Sequence, residues 1–157
     1  MPLTRLTHSL DAALGWFELG LCCEALRELD ALPEADQQRV ETLELRAVLF
    51  QQQGRWAEAA ATYAELCRRE GACVDRFIAW GCCLYELNRI QECRDALLAA
   101  PPQARDHGLW NYHLACYEAL LGRTDEARRL IHRSLELEPR LRSMADRNEN
   151  LIPLLPR

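Results

Sequence analysis

Eight cysteines and four histidines are the residues of this chain best able to do chemistry, as metal ligands or as a thiol nucleophile with its base. Their spacing argues against metal. No Cys-x-x-Cys pair occurs, and Cys67, Cys73, Cys93, His107 and His113 do not reproduce the paired spacings of zinc knuckles or fingers. For nucleophilic catalysis the nearest constellation is His113, Cys116 and Glu118, of which the first two share a helix face at i and i+3. That segment, Trp110 to Tyr117, is already explained by helix packing, and no Gly-rich strand-to-helix turn supplies an oxyanion hole. Carboxylate pairs such as Glu41 and Glu44 are common on solvated helix faces. The expectation is a non-enzyme with no metal and no cofactor, whose thiols serve as small hydrophobes.

The positions of the cysteines also bear on compartment. Cys22-Cys23 and Cys82-Cys83 are adjacent pairs that cannot close ordinary disulfides within themselves. The opening MPLTRLTHSLDAALGW lacks a basic region followed by an apolar signal core, and no window approaches the ~18 uninterrupted apolar residues of a membrane span. A cytoplasmic location with reduced thiols and no membrane partner is expected. All 19 basic residues are arginine, so lysine Schiff-base chemistry is excluded. The stretch from Met1 to Glu70 holds 12 acids against 7 arginines and the remainder 12 against 12, which places the net charge of −5 in the first half. An acidic chain does not favour a nucleic-acid partner.

The elements that must position these side chains are set by a period. Gly20, Gly54, Asn88 and Gly122 recur at one constant interval (54−20 = 88−54 = 122−88 = 34), and five positions after each comes Ala25, Ala59, Cys93 or Ala127. Such a period marks a stack of like supersecondary units. Leu43, Ala47 and Phe50 lead up to one turn at i, i+4 and i+7, and Ala59, Tyr63 and Leu66 form the returning stripe, so each unit reads as a helical hairpin. Ala13, Ala47, Gly81 and Ala115, seven positions before each turn, can meet the small residues after it where the two helices cross closest. Thr124 is placed as an N-cap, with Asp125 and Glu126 at the positive end of the helix. Cys82 and Cys116 fall at equivalent positions on adjacent first helices, about 10 Å apart and too far for an undistorted disulfide.

Pro33 and Pro101 share one repeat position, two periods apart, and should shorten the second helix of the first and third units only. After Pro139, Leu141, Met144, Leu151, Ile152, Leu154 and Leu155 are interspersed with polar residues, which reads as a cap over the last apolar face rather than a docking peptide. Arg46 stands where the repeat would bury an aliphatic; laying its stem on the core with its head in water is favoured over pairing with a neighbouring carboxylate.

This pattern resembles the tetratricopeptide-repeat family: a small residue near position 8, Gly near 15, Ala at 20 and Pro at 32 of each unit, with Trp80-Gly81 matching the large-then-small pair and Glu138-Pro139 closing the last unit. Cys93 for Ala and Asn88 for Gly depart from it without breaking register. The resemblance covers nearly the whole chain and implies one all-α domain, 1–157, with repeats near 6–39, 40–73, 74–107 and 108–141 and a cap over 140–157. The implied fold is a right-handed superhelical stack of antiparallel hairpins, about eight helices plus a short capping helix.

In that family the first helices line a concave groove that takes extended or helical peptides. The equivalent positions here are Leu14, Phe17, Glu18, Glu44, Val48, Gln51 and Gln52, then Ile78, Cys82, Tyr85, Glu86, Tyr112 and Cys116. Acids beside aromatics imply a partner segment with apolar anchors and basic residues. The clamp by which some family members grip a chaperone C-terminal carboxylate is absent, since Leu10 and Leu14 occupy its positions. The expected function is a non-catalytic protein-binding adaptor; a secretion-type chaperone and a self-assembling scaffold are the alternatives.

Overall fold

The computed structural model describes residues 2–156, with side chains from Leu6 onward. The described residues form ten α-helices and no strand. They are α1 (Pro2–Glu18), α2 (Cys22–Asp30), α3 (Glu34–Gln37), α4 (Val40–Gln52), α5 (Trp56–Arg69), α6 (Val74–Glu86), α7 (Ile90–Leu98), α8 (Gly108–Leu120), α9 (Thr124–Leu137) and α10 (Arg142–Ala145). They group into two compact units, Met1–Arg69 and Glu70–Arg157. The first holds the hairpins α1–α2 and α4–α5, the second α6–α7 and α8–α9.

The four periodic positions do one job, reversing the chain within a short turn. Gly20, Gly54 and Gly122 have φ of 75°, 68° and 75°, and Asn88, at 57°, is the one non-glycine with positive φ among the described residues. Each sits just past a helix and closes it with a Schellman pair of hydrogen bonds. Gly20 N–H donates to Phe17 O at 2.9 Å and Leu21 N–H to Trp16 O at 2.8 Å; around Asn88 the matching bonds, to Tyr85 O and Leu84 O, measure 2.8 and 3.0 Å. Asparagine tolerates this backbone better than other residues bearing a Cβ. Two positions later the next helix starts, at Cys22, Trp56, Ile90 and Thr124. Thr124 is thus the first residue of α9 and not its cap. The cap position belongs to Arg123, whose side chain makes no capping bond and whose carbonyl accepts from Ala127 N–H at 3.0 Å.

Ala13, Ala25, Ala47, Ala59, Cys93, Ala115 and Ala127 are all 0% exposed, and Gly81 is buried. A Cβ on Gly81 would lie 2.5 Å from Leu97 Cδ1 on α7, so a side chain there would displace the buried Leu97, and at ordinary contact distance, 3.4 Å, from the Tyr117 ring on α8. Around these contacts Leu29, Leu49 and Leu66 in the first unit and Leu97 and Ile131 in the second are fully buried. Each contributes about 1.5 to 3 kcal/mol of hydrophobic stabilisation.

The alternation set by the two prolines is visible in helix length. α2 and α7 have 9 residues each, against 14 in α5 and α9. After each short helix a proline starts an added helical turn: Pro33 precedes α3, and Pro101 precedes a 3-10 turn over Pro102–Asp106. Fixed φ suits proline to that entry.

Arg46 departs from its sequence reading. Its side chain is only 16% exposed and pairs with Asp30 at the end of α2, while its Nη2 is buried with no hydrogen-bond partner. A buried guanidinium needs a counter-charge more than its stem needs contact, and the short α2 ends with a carboxylate within reach.

Beyond α9 the chain turns through Pro139–Leu141, α10 and a 3-10 turn over Ile152–Leu154. Leu141, Ala145, Leu151 and Leu154 are buried, and His132 on α9 meets Leu154 O at 3.2 Å.

Candidate binding site

The second unit contains a pocket of about 280 Å³ walled by two first helices and the C-terminal segment. From α6 come Cys82, Tyr85 and Glu86, at i, i+3 and i+4. From α8 come two adjacent stripes, Tyr112 with Cys116, and His113 with Tyr117 and Leu120. Met144, Asn148 and Asn150 close the third side. Because Tyr85 and Glu86 end α6, they stand at the mouth, where Tyr85 is 46% exposed.

The rings are contiguous. Tyr85 stacks on Tyr117 with centroids 6.2 Å apart, Tyr117 lies 6.3 Å from His113, and His113 meets Tyr112 edge-on at 5.4 Å. Cys82 Sγ lies 3.8 Å from His113 Nδ1, across α6 and α8. Asn148 Nδ2 donates to Tyr112 Oη at 3.5 Å and to Cys116 Sγ at 3.3 Å.

Burial governs the titration of these groups. It lowers His113 to about 4, so the imidazole is neutral at pH 7, and pushes the Cys116 thiol up to about 12. Burial is also the main reason Cys82, Tyr112 and Tyr117 are raised, with Tyr117's hydroxyl opposing the shift at Cys82 and Glu86 adding to it. A thiol held protonated is the reverse of an activated nucleophile. The third member of the His113, Cys116 and Glu118 constellation is engaged elsewhere. Glu118 is 2% exposed and accepts from Arg94 Nε on α7 at 2.6 Å, with Arg123 Nη1 at 3.5 Å. Among the described residues no group of three His, Cys, Asp or Glu side chains could hold a metal.

The residues singled out from the groove pattern fare unequally. In the first unit Leu14, Glu18 and Gln52 are exposed, and Phe17, Glu44, Val48 and Gln51 are half-buried. Gln51 Oε1 is taken by Tyr63 Oη at 2.8 Å. In the second unit Cys82, Tyr85 and Glu86 line the pocket. Ile78 does not offer an open surface; at 6% exposure it belongs to the core beside Phe77. Tyr112 and Cys116 line the pocket wall but are only 6% and 8% exposed, with Asn148 bonded to both.

Sequence reasoning passed over His113, Tyr117 and Leu120 as lining residues. One signal was present: His113 follows Cys82 at one helical turn short of a full repeat interval, so both belong on the same side of neighbouring first helices. Nothing in the period could place Met144, Asn148 or Asn150, which lie beyond it.

A shallower hollow of about 490 Å³ continues outward, sharing Tyr85, Tyr112, Met144, Asn148 and Asn150 and adding Ser143, Arg147 and Glu149. A larger one of about 780 Å³ opens beside α9, but Arg133 and Arg129 there pair with Asp106 and Glu126 of its own wall.

Paired antiparallel helices with left-handed turns at a fixed period define a helical-hairpin repeat protein of the α-solenoid class. No family model matches the chain and no curated protein matches it. Solved structures do. MamA superposes with a TM-score of 0.78 at 18% identity, over 86% of this chain and 74% of that one. PilF of Pseudomonas aeruginosa gives 0.76 at 20%, over 98% and 69%. YrrB, described as a TPR protein with an unusual peptide-binding site, gives 0.71 at 15%, over 93% and 80%. The particular fold is the tetratricopeptide-repeat fold.

Proposed function

We propose that this chain is a non-catalytic module that holds a segment of another protein, with the aromatic pocket between α6 and α8 as its main grip. The observation that carries this reading is an exposed apolar rim around an aromatic-walled pocket. Tyr85, Leu120 and Met144 are 46%, 39% and 43% exposed around one 280 Å³ hollow. Exposed aromatics beside a concave site are where binding energy concentrates. The peptide-binding site ascribed to YrrB, which has the same fold, supports the reading. Cys83 and Cys93 are 0% exposed, packed as small hydrophobes, which supports a reducing compartment such as the cytoplasm.

The test is capture of interacting proteins by the wild type and by a folded Tyr85→Ala, Phe17→Ala double variant. Loss of specific partners is expected. An unchanged set of partners defeats the reading.

A second reading, self-association, is favoured by one observation in the first unit. Trp16, Leu19 and Leu21, around the α1–α2 turn, are 36%, 72% and 42% exposed. Light scattering decides it: a size that grows with concentration and reverts on Leu19→Ser supports assembly, and a strict monomer rejects it.

A further inference from the structure

We propose that the pocket between α6 and α8 receives one basic side chain of the bound segment, an arginine, held against the tyrosine rings beside Glu86. This rests on the reading of the pocket as a segment-binding site and names the chemistry it accepts.

The first argument is charge. Of the residues lining the pocket, Glu86 is the one acidic side chain and none is arginine, while burial keeps His113 unprotonated. Glu86 is exposed at the mouth and makes no ion pair among the described residues. In the same unit Glu92, Glu118, Glu126 and Glu138 all have arginine partners. The field of Glu86 reaches inward, since it contributes to raising the Cys82 thiol. The outer hollow adds Arg147 and Glu149, whose charges offset each other.

The second argument is the wall itself. The chain of rings runs from Tyr85 through Tyr117 and His113 to Tyr112; Tyr85, 46% exposed, offers the ring surface, Tyr117 and Tyr112, at 2% and 6%, back it, and Cys82, Cys116 and Met144 are polarisable sulfur groups. A guanidinium stacked on the exposed Tyr85 ring gains a cation–π attraction that an aliphatic side chain does not. A volume of 280 Å³ suits one side chain rather than a whole small-molecule ligand. Arginine fits better than lysine because its planar guanidinium stacks on a ring while its fork reaches a carboxylate.

The experiment is an NMR titration of the full chain, with its tyrosine rings carbon-13 labelled, using three heptapeptides. They share the sequence Ala-Ala-Leu-X-Leu-Ala-Ala, blocked at both ends, with X as arginine, its uncharged isostere citrulline, or leucine. The arginine peptide should shift the Tyr85 and Tyr117 ring signals saturably and bind about fivefold or more tightly than the citrulline peptide. Glu86→Gln, at an exposed helix end, should remove most of that preference. Equal binding of the citrulline or leucine peptide, a preference that survives Glu86→Gln, or no ring shift with any peptide overturns the proposal. A leucine peptide that shifts Tyr85 as tightly as the arginine peptide overturns the cation alone and leaves segment binding intact. The partner-capture experiment with the Tyr85→Ala, Phe17→Ala variant reports on segment binding independently.

Discussion

Cys82 Sγ and His113 Nδ1 meet at 3.8 Å although the two residues stand 31 positions apart in the chain. The contact exists because α6 and α8 are neighbouring first helices, and the burial they impose is what keeps the imidazole neutral. The cost of protonating that imidazole is therefore a property of the fold.

Stability should fall on mild acidification because of His113. Its folded value, about 4, lies below the ordinary 6.5, so between those limits the unfolded chain binds a proton that the folded chain does not. The penalty is absent above about pH 6.5 and fully developed below about pH 4. Between pH 7.5 and pH 5 it amounts to roughly 2 kcal/mol. Urea titrations at the two pH values measure it, and His113→Gln should flatten the difference. A wild type equally stable at both would contradict the burial argument.

Glu118 is predicted to be a structural anchor. Glu118→Ala leaves Arg94, itself 24% exposed, facing an emptied site, at a cost of about 3 kcal/mol. Arg94→Met with Glu118→Leu should recover much of that, since a well-packed apolar pair can replace a buried ion pair. Denaturation midpoints of the single and double variants settle the matter; a double variant as unstable as the sum of its parts argues against it.

Close approach at Gly81 should be sensitive to one methyl group. Gly81→Ala puts a Cβ 2.5 Å from Leu97 Cδ1, and Leu97 is fully buried, so about 1 to 3 kcal/mol should be lost. Pairing it with Leu97→Ala should cost less than the two losses added together. Ala59→Leu and Ala127→Leu, at the equivalent crossings of the hairpins α4–α5 and α8–α9, should overpack in the same sense, because both sites are 0% exposed. Thermal melts of the variants give the ranking.

At the third turn the backbone and not the space decides. Asn88→Gly should change stability by less than about 1 kcal/mol, whereas Asn88→Val, forced to φ 57°, should lose on the order of 1 to 2 kcal/mol. Equal stability of the two variants would show that the left-handed conformation is not required there.

The legible part of this molecule is local. Gly20, Gly54, Asn88 and Gly122 specify their turns through their own backbone preferences, and the small residues on either side mark where helices cross. Pro33 and Pro101 end their helices by geometry carried in the residue itself, which is why the short α2 and α7, of 9 residues each, could be expected from sequence. The added turns at α3 and Pro102–Asp106 could not, because they depend on where the chain must arrive next.

The pocket was half legible. Cys82, Tyr85 and Glu86 follow from the repeat position, while Ile78, one turn before Cys82 on the same face, is covered and 6% exposed. Arg46 shows the same limit: its type suggested a head in water, and the end of α2 supplied Asp30 instead. Asn148 bonds to Tyr112 and Cys116 from outside the repeat, through a segment whose path no period encodes. Sequence alone determined the hairpin, its turns and its crossings, since these rest on each residue's own conformational preference and size. Tertiary structure decided which titratable and aromatic groups meet, because that depends on helix rotation and on chain folded back from far along the sequence.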